Sequence, residues 1–546
     1  MATHNTLAMP AADRIAVARI GALKVVGLVA AATLLAVLAF VRLTEYPTIW
    51  FDEGIHLHVP KAVVQFGEYA DFSSDGFRYY GPTMSVGPTV MLPIAGVFKL
   101  TGVGLLQARL VIVAYLLAAT WLAWRVGRQL GGPTVATLGV ALLVSSRGVD
   151  FVLYGRQVLG EVPAMCFLLA GLHLWFSAWE RPAWSRLTIV GVLFGLAIVT
   201  KYQFVIALAP GLAVGWALDR LYYRQLPHRA WIWPAMVMMA TFAAWQAVAV
   251  LYLGPSLASE NLRTMRQAAA DAALTFSPER MATAFKEVVK PSVYSSLLLP
   301  ALLYTMVRSW ERSRAALRWA AIVCFVGANL GWFVLASIGW PRYAFCAFAL
   351  CAFVVARPVV ELAAGEVRLA AWLQPFRRSL TVALAGAALV TIALPVAMTF
   401  RDMARAPSDQ ARVMGAYLDA HVKTDALIET WEPEMGFFTN HRYHYPPAKL
   451  LMTAVSASST GTSPSALYDF RAGGLPDYVL EGPFARLVGL YPPDRLAGAY
   501  QRRASSDGYV LYERNPCWPV CPGPGPCAAS GSSPKGPSCT TETGSR

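Results

Sequence analysis

The stretch Met84-Ser85-Val86-Gly87-Pro88-Thr89-Val90-Met91-Leu92-Pro93-Ile94-Ala95-Gly96-Val97-Phe98-Lys99-Leu100-Thr101 decides how the chain is arranged. It is apolar, yet it is shorter than the roughly 20 residues that cross a bilayer at 1.5 Å each. It also contains Pro88 and Pro93. Eleven other segments are apolar enough to cross, some of them short: 20–42, 105–123, 133–146, 162–178, 187–200, 203–218, 231–253, 292–307, 319–337, 343–356 and 379–399. If 84–101 crossed as a twelfth, every later loop would change side. Charge arbitrates. With 84–101 not crossing, the loops at 124–132, 179–188, 219–230, 308–318 and 357–378 share a side with the N-terminus and hold 15 Lys and Arg in 64 residues. The opposite loops (43–104, 147–161, 201–202, 254–291 and 338–342) hold 12 in 122 residues, beside 12 acids. Basic loops stay cytoplasmic. The reading is an α-helical polytopic membrane protein of about 11 spans, with its N-terminus inside and its C-terminus outside. The 84–101 stretch is then re-entrant or interfacial. Irregular backbone at that depth needs protein or a wet cavity around it, which points to a site near the outer face.

Composition agrees with that reading. Of 546 residues, 56% are hydrophobic and 14% charged, against about 45–50% and about 25% in soluble proteins. This excludes an ordinary soluble enzyme, and disorder over most of the chain. The net charge of +14 reads as basic cytoplasmic loops, with no nucleic-acid partner. Residues 1–19 form a cytoplasmic N-terminus, and the first apolar segment, which lacks a cleavage pattern, reads as a retained span. Residues 20–400 form the membrane domain, with long outer loops at 43–104 and 254–291. In the first loop Ile55, Val59, Val63 and Phe66 share a helical face, which suits a helix lying in the interface. Met281, Phe285 and Val288 repeat the theme in the second.

After about residue 400 the pattern changes. Residues 408–422 read as a helix, and 426–431, 477–480 and 509–512 as strands. The expectation is a small extracytoplasmic α/β domain over 401–515, with no Gly-rich phosphate loop to open it. Residues 516–546 are a Pro/Gly/Ser-rich tail expected to be disordered. Its cysteines, Cys517, Cys521, Cys527 and Cys539, match no common zinc spacing.

The chemistry gathers on the outer side. Asp52 and Glu53 follow the first span directly. An Asp there also suits a helix N-cap. Arg156 and Glu161 precede the fourth span, Lys201 sits in a two-residue outer turn, and Arg342 enters the tenth span. Ionisable groups at the membrane are costly and tend to mark a site. A carboxylate can take the proton of an attacking hydroxyl, worth about 10²–10⁴ in rate, while Arg and Lys can hold a phosphate. The plainer alternatives are snorkelling for Lys201, a lipid contact for Arg342, and a structural ion pair between Arg156 and Glu161. His56 and His58 are two apart and do not share a helical face, so they make no paired metal site. His441 and His444, with Tyr443 and Tyr445, could contact a substrate or simply form a polar loop.

Three stretches resemble the GT-C glycosyltransferases, in particular the family 39-like group of protein O-mannosyltransferases and the lipid A aminoarabinose transferase. They are Phe51-Asp52-Glu53-Gly54 with the helix to Gly67-Glu68-Tyr69, Ser85-Val86-Gly87-Pro88 leading into Thr89–Gly102, and Gly155-Arg156-Gln157 through Glu161. Trp340-Pro341-Arg342-Tyr343 is a weaker fourth, and Ile428–Pro433 is similar to the outer domain of bacterial members. The resemblance spans about 40–515. It implies transfer of a sugar, with inversion, from a polyprenyl-phosphate donor to a hydroxyl of a protein, lipid or glycan, at the outer face of a bacterial inner membrane. It implies Asp52 as general base with Glu53 and Glu161 as supporting acids. Arg342, Lys201 and Arg78 would bind the donor phosphate, and Arg156, His56 and Tyr343 would support the site. The aminoarabinose-type enzymes carry a Lys before a proline pair, and here Tyr80-Gly81-Pro82 supplies none. Many relatives use a divalent metal and some do not. The adjacent Asp-Glu leaves that open, and no metal ligand is assigned. A polytopic transporter or lipid flippase is the alternative. A flippase would bind the lipid phosphate without needing Asp52, and transporters usually show repeats and midplane charges.

Overall fold

A computed structural model describes residues 11–516, apart from 80–85, 273, 368–370, 407–408, 448–449, 452–453, 455–463 and 473–474. The cysteine-bearing tail and the Tyr80-Gly81-Pro82 stretch lie outside the described residues. Each of the eleven apolar segments coincides with helix: Ala11–Phe40, Leu105–Ser145 (which holds two of them), Glu161–Ala178, Trp184–Thr200, Phe204–Leu218, Arg229–Ala272, Leu298–Arg308, Arg314–Ala336, Phe345–Ala363 and Arg377–Arg405. Among the described residues, seven helical runs are long and apolar enough to cross a membrane by themselves, and Val26–Phe40, Trp184–Thr200 and Leu298–Arg308 are shorter. The chain is a multi-pass membrane protein. The Leu105–Ser145 helix breaks at Gly131 and Gly132, where φ reaches 79° just before Pro133. A side chain at Gly132 would oppose that left-handed turn. Where the helices Glu161–Ala178 and Arg229–Ala272 adjoin the basic loops, buried Trp175 meets Trp231 and Trp179 edge-on at 4.8 and 5.1 Å, the favoured T-shaped geometry.

The deciding stretch folds as a 14-residue helix, Pro88–Thr101, opened by Pro88 in its first turn. At 1.5 Å per residue that is about 21 Å, short of a hydrocarbon core of about 30 Å. Val90, Met91, Ile94 and Phe98 share a buried cluster with Met414, Met435 and Phe437 of the C-terminal region, so this helix packs beneath that region.

The C-terminal region is an α/β unit. Strands β3 (Leu427–Thr430), β4 (Arg442–His444), β5 (Tyr478–Glu481), β6 (Tyr500–Ser506) and β7 (Tyr509–Arg514) follow a two-strand hairpin of β1 (Asp71–Ser73) and β2 (Gly76–Arg78). The sheet order is β4-β3-β5-β7-β6. Strands β4 and β5 flank β3 in parallel, and β7 runs antiparallel to both β5 and β6. The Gln410–His421 helix is capped by Asp409, whose side chain accepts from the Arg412 amide, a favoured N-cap arrangement.

Two expectations change. The helix Phe51–Phe66 does not lie free in the interface: His56, His58 and Lys61 are buried with Leu57, Val59 and Ala62, while Ile55 and Val63 are half-buried and Phe66 is 54% exposed. It is sandwiched between the bundle and the C-terminal unit. Lys61 Nζ donates to the carbonyls of Gly436, Phe437 and Thr439 at 2.7, 3.1 and 2.7 Å, supplying donors where the short helix Pro433–Phe438 ends. Gly54 lets the two helices touch, since a Cβ there would come within 2.5 Å of the Glu434 amide nitrogen. The second change is one of extent: the 254–291 loop holds the helix expected at Met281, Phe285 and Val288 and is helical before it as well. The helix from Arg229 continues through a break at Gly254 and Pro255 to Ala272, and Pro278–Val289 follows.

Candidate active site

Four chain segments converge on one cluster. Asp52 lies in the first turn of Phe51–Phe66, and Glu161 opens the helix Glu161–Ala178. Lys201 ends Trp184–Thr200, and Arg342 sits in the single turn Pro341–Ala344 before the next span. The Arg342 guanidinium bridges the two acids. Its Nη1 pairs with Asp52 Oδ2, while Nε and Nη2 reach Glu161 Oε1 at 3.1 and 3.0 Å. Lys201 Nζ lies 3.2 Å from the same Glu161 oxygen. Glu161 is buried under both cations, whereas the Asp52 side chain is 29% exposed. Of the two acids, Asp52 is the one a substrate can reach. The arrangement offers one accessible carboxylate beside two cations held in place by a second, buried carboxylate.

The Gly87-Pro88 sequence fixes the Lys201 turn. The Gly87 amide donates to the Thr200 carbonyl at 3.0 Å, and the Thr89 and Thr200 hydroxyls meet at 2.7 Å. A Cβ on Gly87 would sit on the Val199 carbonyl oxygen. Tyr343 packs between Trp332 and Trp340, with ring centroids 5.9 and 6.0 Å away, next to Arg342. Tyr154, not singled out from the sequence, meets Phe345 edge-on at 5.6 Å. It lies within electrostatic reach of Asp52, Glu161 and Arg342. A tyrosine two residues before Arg156 gives no signal in the sequence; only the fold brings it to the cluster.

Several expected residues lie elsewhere. Glu53 faces away from Asp52 and forms a buried pair with Arg109, at 2.9 and 2.5 Å, and also accepts from the Val158 amide at 2.9 Å. Arg156 makes no ion pair with Glu161. It donates to the carbonyls of Leu38, Val41 and Tyr46, satisfying oxygens left open where the first helix ends. His56 stands behind the cluster, with Nδ1 2.7 Å from the Val158 carbonyl. Burial, helped by the charge of Lys201, pushes its pKa down to about 4, so the ring is neutral at pH 7. Arg78 does not join the cluster either. It pairs with Asp71 at 2.5 Å and stacks 4.8 Å over Tyr445. Burial alone would raise the Asp71 carboxyl, but Arg78 and His58 outweigh it and hold it below its ordinary value. His444 binds Glu429, and His441 lies 3.2 Å from Asp419, both within the C-terminal unit. Among the described residues no group of three or more His, Cys, Asp or Glu could hold a metal ion. Any divalent cation at the cluster would have to displace Arg342 and Lys201 from its two acids.

The bundle, the long first loop packed under a C-terminal α/β unit and the cluster between them have the architecture of GT-C glycosyltransferases. The structure of ArnT from Cupriavidus metallidurans bound to undecaprenyl phosphate superposes with a TM-score of 0.58 at 13% identity, over 89% of this chain and 97% of that one. Its apo state gives 0.59 at 14% identity, over 90% and 98%. The archaeal oligosaccharyltransferase AglB from Archaeoglobus fulgidus, in complex with an inhibitory peptide and a dolichol-phosphate, gives 0.56 at 11%, over 90% and 74%. By sequence, residues 85–248 match the family described as dolichyl-phosphate-mannose-protein mannosyltransferase. No curated protein matches the chain. The GT-C resemblance carried by the first loop, the Gly-Pro stretch and the second acidic loop holds at the level of fold.

Proposed function

We propose that the chain is an integral-membrane glycosyltransferase that moves a sugar from a polyprenyl-phosphate carrier to a hydroxyl of a protein, lipid or glycan. The observation that carries this reading is the bridge from Arg342 to both Asp52 and Glu161, with Lys201 on the same Glu161. The GT-C fold and the partial match to a mannosyltransferase family support it. A donor phosphate entering the cluster competes for Arg342 and Lys201 and loosens the guanidinium from Asp52. The freed carboxylate takes the acceptor proton as the hydroxyl oxygen bonds to the sugar C1 from the face opposite the phosphate, inverting that carbon. The C1–O bond to phosphate breaks, and the leaving phosphate carries its extra charge onto Arg342 and Lys201, where charge-assisted hydrogen bonds are strongest. Glu161 holds both cations in position, and Tyr343 walls the cluster. Glu53, Arg156 and His56 position the backbone around it. The excess of basic residues on the opposite loops supports an extracytoplasmic position for the cluster, and the GT-C resemblance supports a bacterial inner membrane.

The test compares binding of undecaprenyl phosphate and undecaprenol to the detergent-purified protein, wild type beside Arg342→Ala. The phosphate lipid should bind preferentially, and the variant should lose about 10–100-fold, the worth of one hydrogen bond to a charged group. Equal binding of the two lipids by wild type would remove the donor class. Asp52→Asn should still bind the phosphate lipid while transfer falls by about 10²–10⁴.

A further inference from the structure

A second apolar surface lies at the other end of the bundle. The helix Phe204–Leu218 starts three residues after Lys201, and its far end carries Trp216. Between it and the Arg229–Ala272 helix runs an open groove of about 480 Å³. Ala209, Ala213 and Ala235 form its floor, and Trp216, Met236 and Met239 its walls. Short alanines beside longer Trp and Met side chains make it a slot. Its lining is predominantly apolar, and the Arg229–Ala272 helix has very little of its span buried inside the protein.

The rim of this groove is basic, and Arg220 there donates through Nη2 to the Leu226 carbonyl. The Trp216 indole N–H donates to His228 Nδ1 at 3.1 Å, and Arg220 Nη1 lies 3.3 Å from His228 Nε2. A neutral imidazole has one acceptor nitrogen. The Trp216 indole and the Arg220 guanidinium can only donate, so a neutral His228 accepts from one and leaves the other N–H open. An anionic oxygen beside the ring would accept that donor. Arg224 and Arg229 are also exposed at this end, and Arg229 lies 5.7 Å over the Trp184 ring. The nearby acid, Asp219, is buried and accepts from the Gln225 and Leu226 amides and from the Trp231 indole, with Arg220 at 3.8 Å. It leaves the rim net positive.

We propose that this groove is a binding site for an anionic phospholipid of the leaflet opposite the candidate active site. One acyl chain lies along the slot, and the phosphodiester sits between Arg220, His228 and Arg229. Basic pockets between membrane helices recognise anionic head groups in this way. The protein is purified in detergent with equal amounts of phosphatidylglycerol and phosphatidylcholine bearing the same chains, and retained lipid is measured by native mass spectrometry. Wild type should keep phosphatidylglycerol in preference by about tenfold. Arg220→Gln/Arg229→Gln should lose the preference, and Ala213→Trp, on an exposed position that fills the slot, should lose the retained lipid. Equal retention by wild type, or an undiminished preference in the double variant, overturns the proposal. A wild-type dimer that Ala213→Trp converts to monomer would instead assign the groove to a second copy. Displacement of the lipid by undecaprenyl phosphate in Lys201→Ala/Arg342→Ala would assign it to the donor tail, and both results reject a phospholipid site.

Discussion

Arg109→Met tests whether the buried pair behind Asp52 holds that carboxylate in place. Arg109 and Glu53 are both fully buried. Their guanidinium and carboxylate meet at 2.9 and 2.5 Å, and Arg109 Nη1 also donates to the Leu43 carbonyl at 2.7 Å. Removing the guanidinium leaves the Glu53 carboxylate dry, with the Val158 amide as its one remaining donor among these contacts. Breaking a buried pair by deleting one partner costs about 3–5 kcal/mol, and the orphaned Leu43 carbonyl adds about 1 kcal/mol. Glu53→Met exposes the converse problem, an unpaired buried guanidinium. The double variant Arg109→Met/Glu53→Met removes both charges and should recover much of the loss, giving a coupling energy of about 2–3 kcal/mol. The assay is the thermal unfolding midpoint of the four detergent-purified proteins, read as a double-mutant cycle beside undecaprenyl phosphate binding. Glu53 adjoins Asp52 in the chain, so each single variant should also weaken the Asp52–Arg342 contact and alter lipid binding. Midpoints that add without coupling, or an Arg109→Met protein as stable as wild type, would refute the reasoning.

Gly87→Ala places a methyl on the Val199 carbonyl and must push the Lys201 turn away; it should reduce undecaprenyl phosphate binding as much as Lys201→Ala, and unchanged binding would show the turn tolerates the shift. Lys61→Met removes three bonds to the carbonyls of Gly436, Phe437 and Thr439, a loss of about 1–3 kcal/mol, and should make the C-terminal unit more sensitive to limited proteolysis; an unaltered cleavage rate counts against docking through Lys61. Burial pushes the carboxyls of Glu434 and its neighbour Glu432 up from their ordinary 4.5. The folded state therefore holds this pair's protons more tightly than the unfolded one, so the stability they contribute is full below pH 4.5 and is lost as pH rises through the raised folded-state values. Glu434→Gln should reduce the slope of stability against pH over that window and be more stable than wild type at pH 8, whereas an unchanged slope would exclude Glu434 as its source.

What the chain determined by itself was periodic or compositional. The apolar segments are legible because a lipid-facing helix must be apolar along its length, and each coincides with helix. The strands β3, β5 and β7 are legible because they are buried. Strand β6 was missed because Tyr500-Gln501-Arg502-Arg503 is an edge strand with most of its side chains in solvent, and an edge carries no apolar alternation. Asp52, Glu161, Lys201 and Arg342 could be selected because charge is costly beside a membrane, wherever the backbone finally takes it. Which of those charges meet was decided only in three dimensions. Adjacent residues on a helix point in different directions, so Asp52 reaches Arg342 while Glu53 turns inward to Arg109. Arg109 lies in an apolar stretch that sequence reading passes over, and Arg156 spends its donors on carbonyls at the end of the first helix. The helix carrying Asp52 looked amphipathic, yet the C-terminal unit covers its polar side and makes His58 and Lys61 core residues. Burial of that kind depends on a partner surface more than 350 residues away in the chain, and no local pattern can announce it.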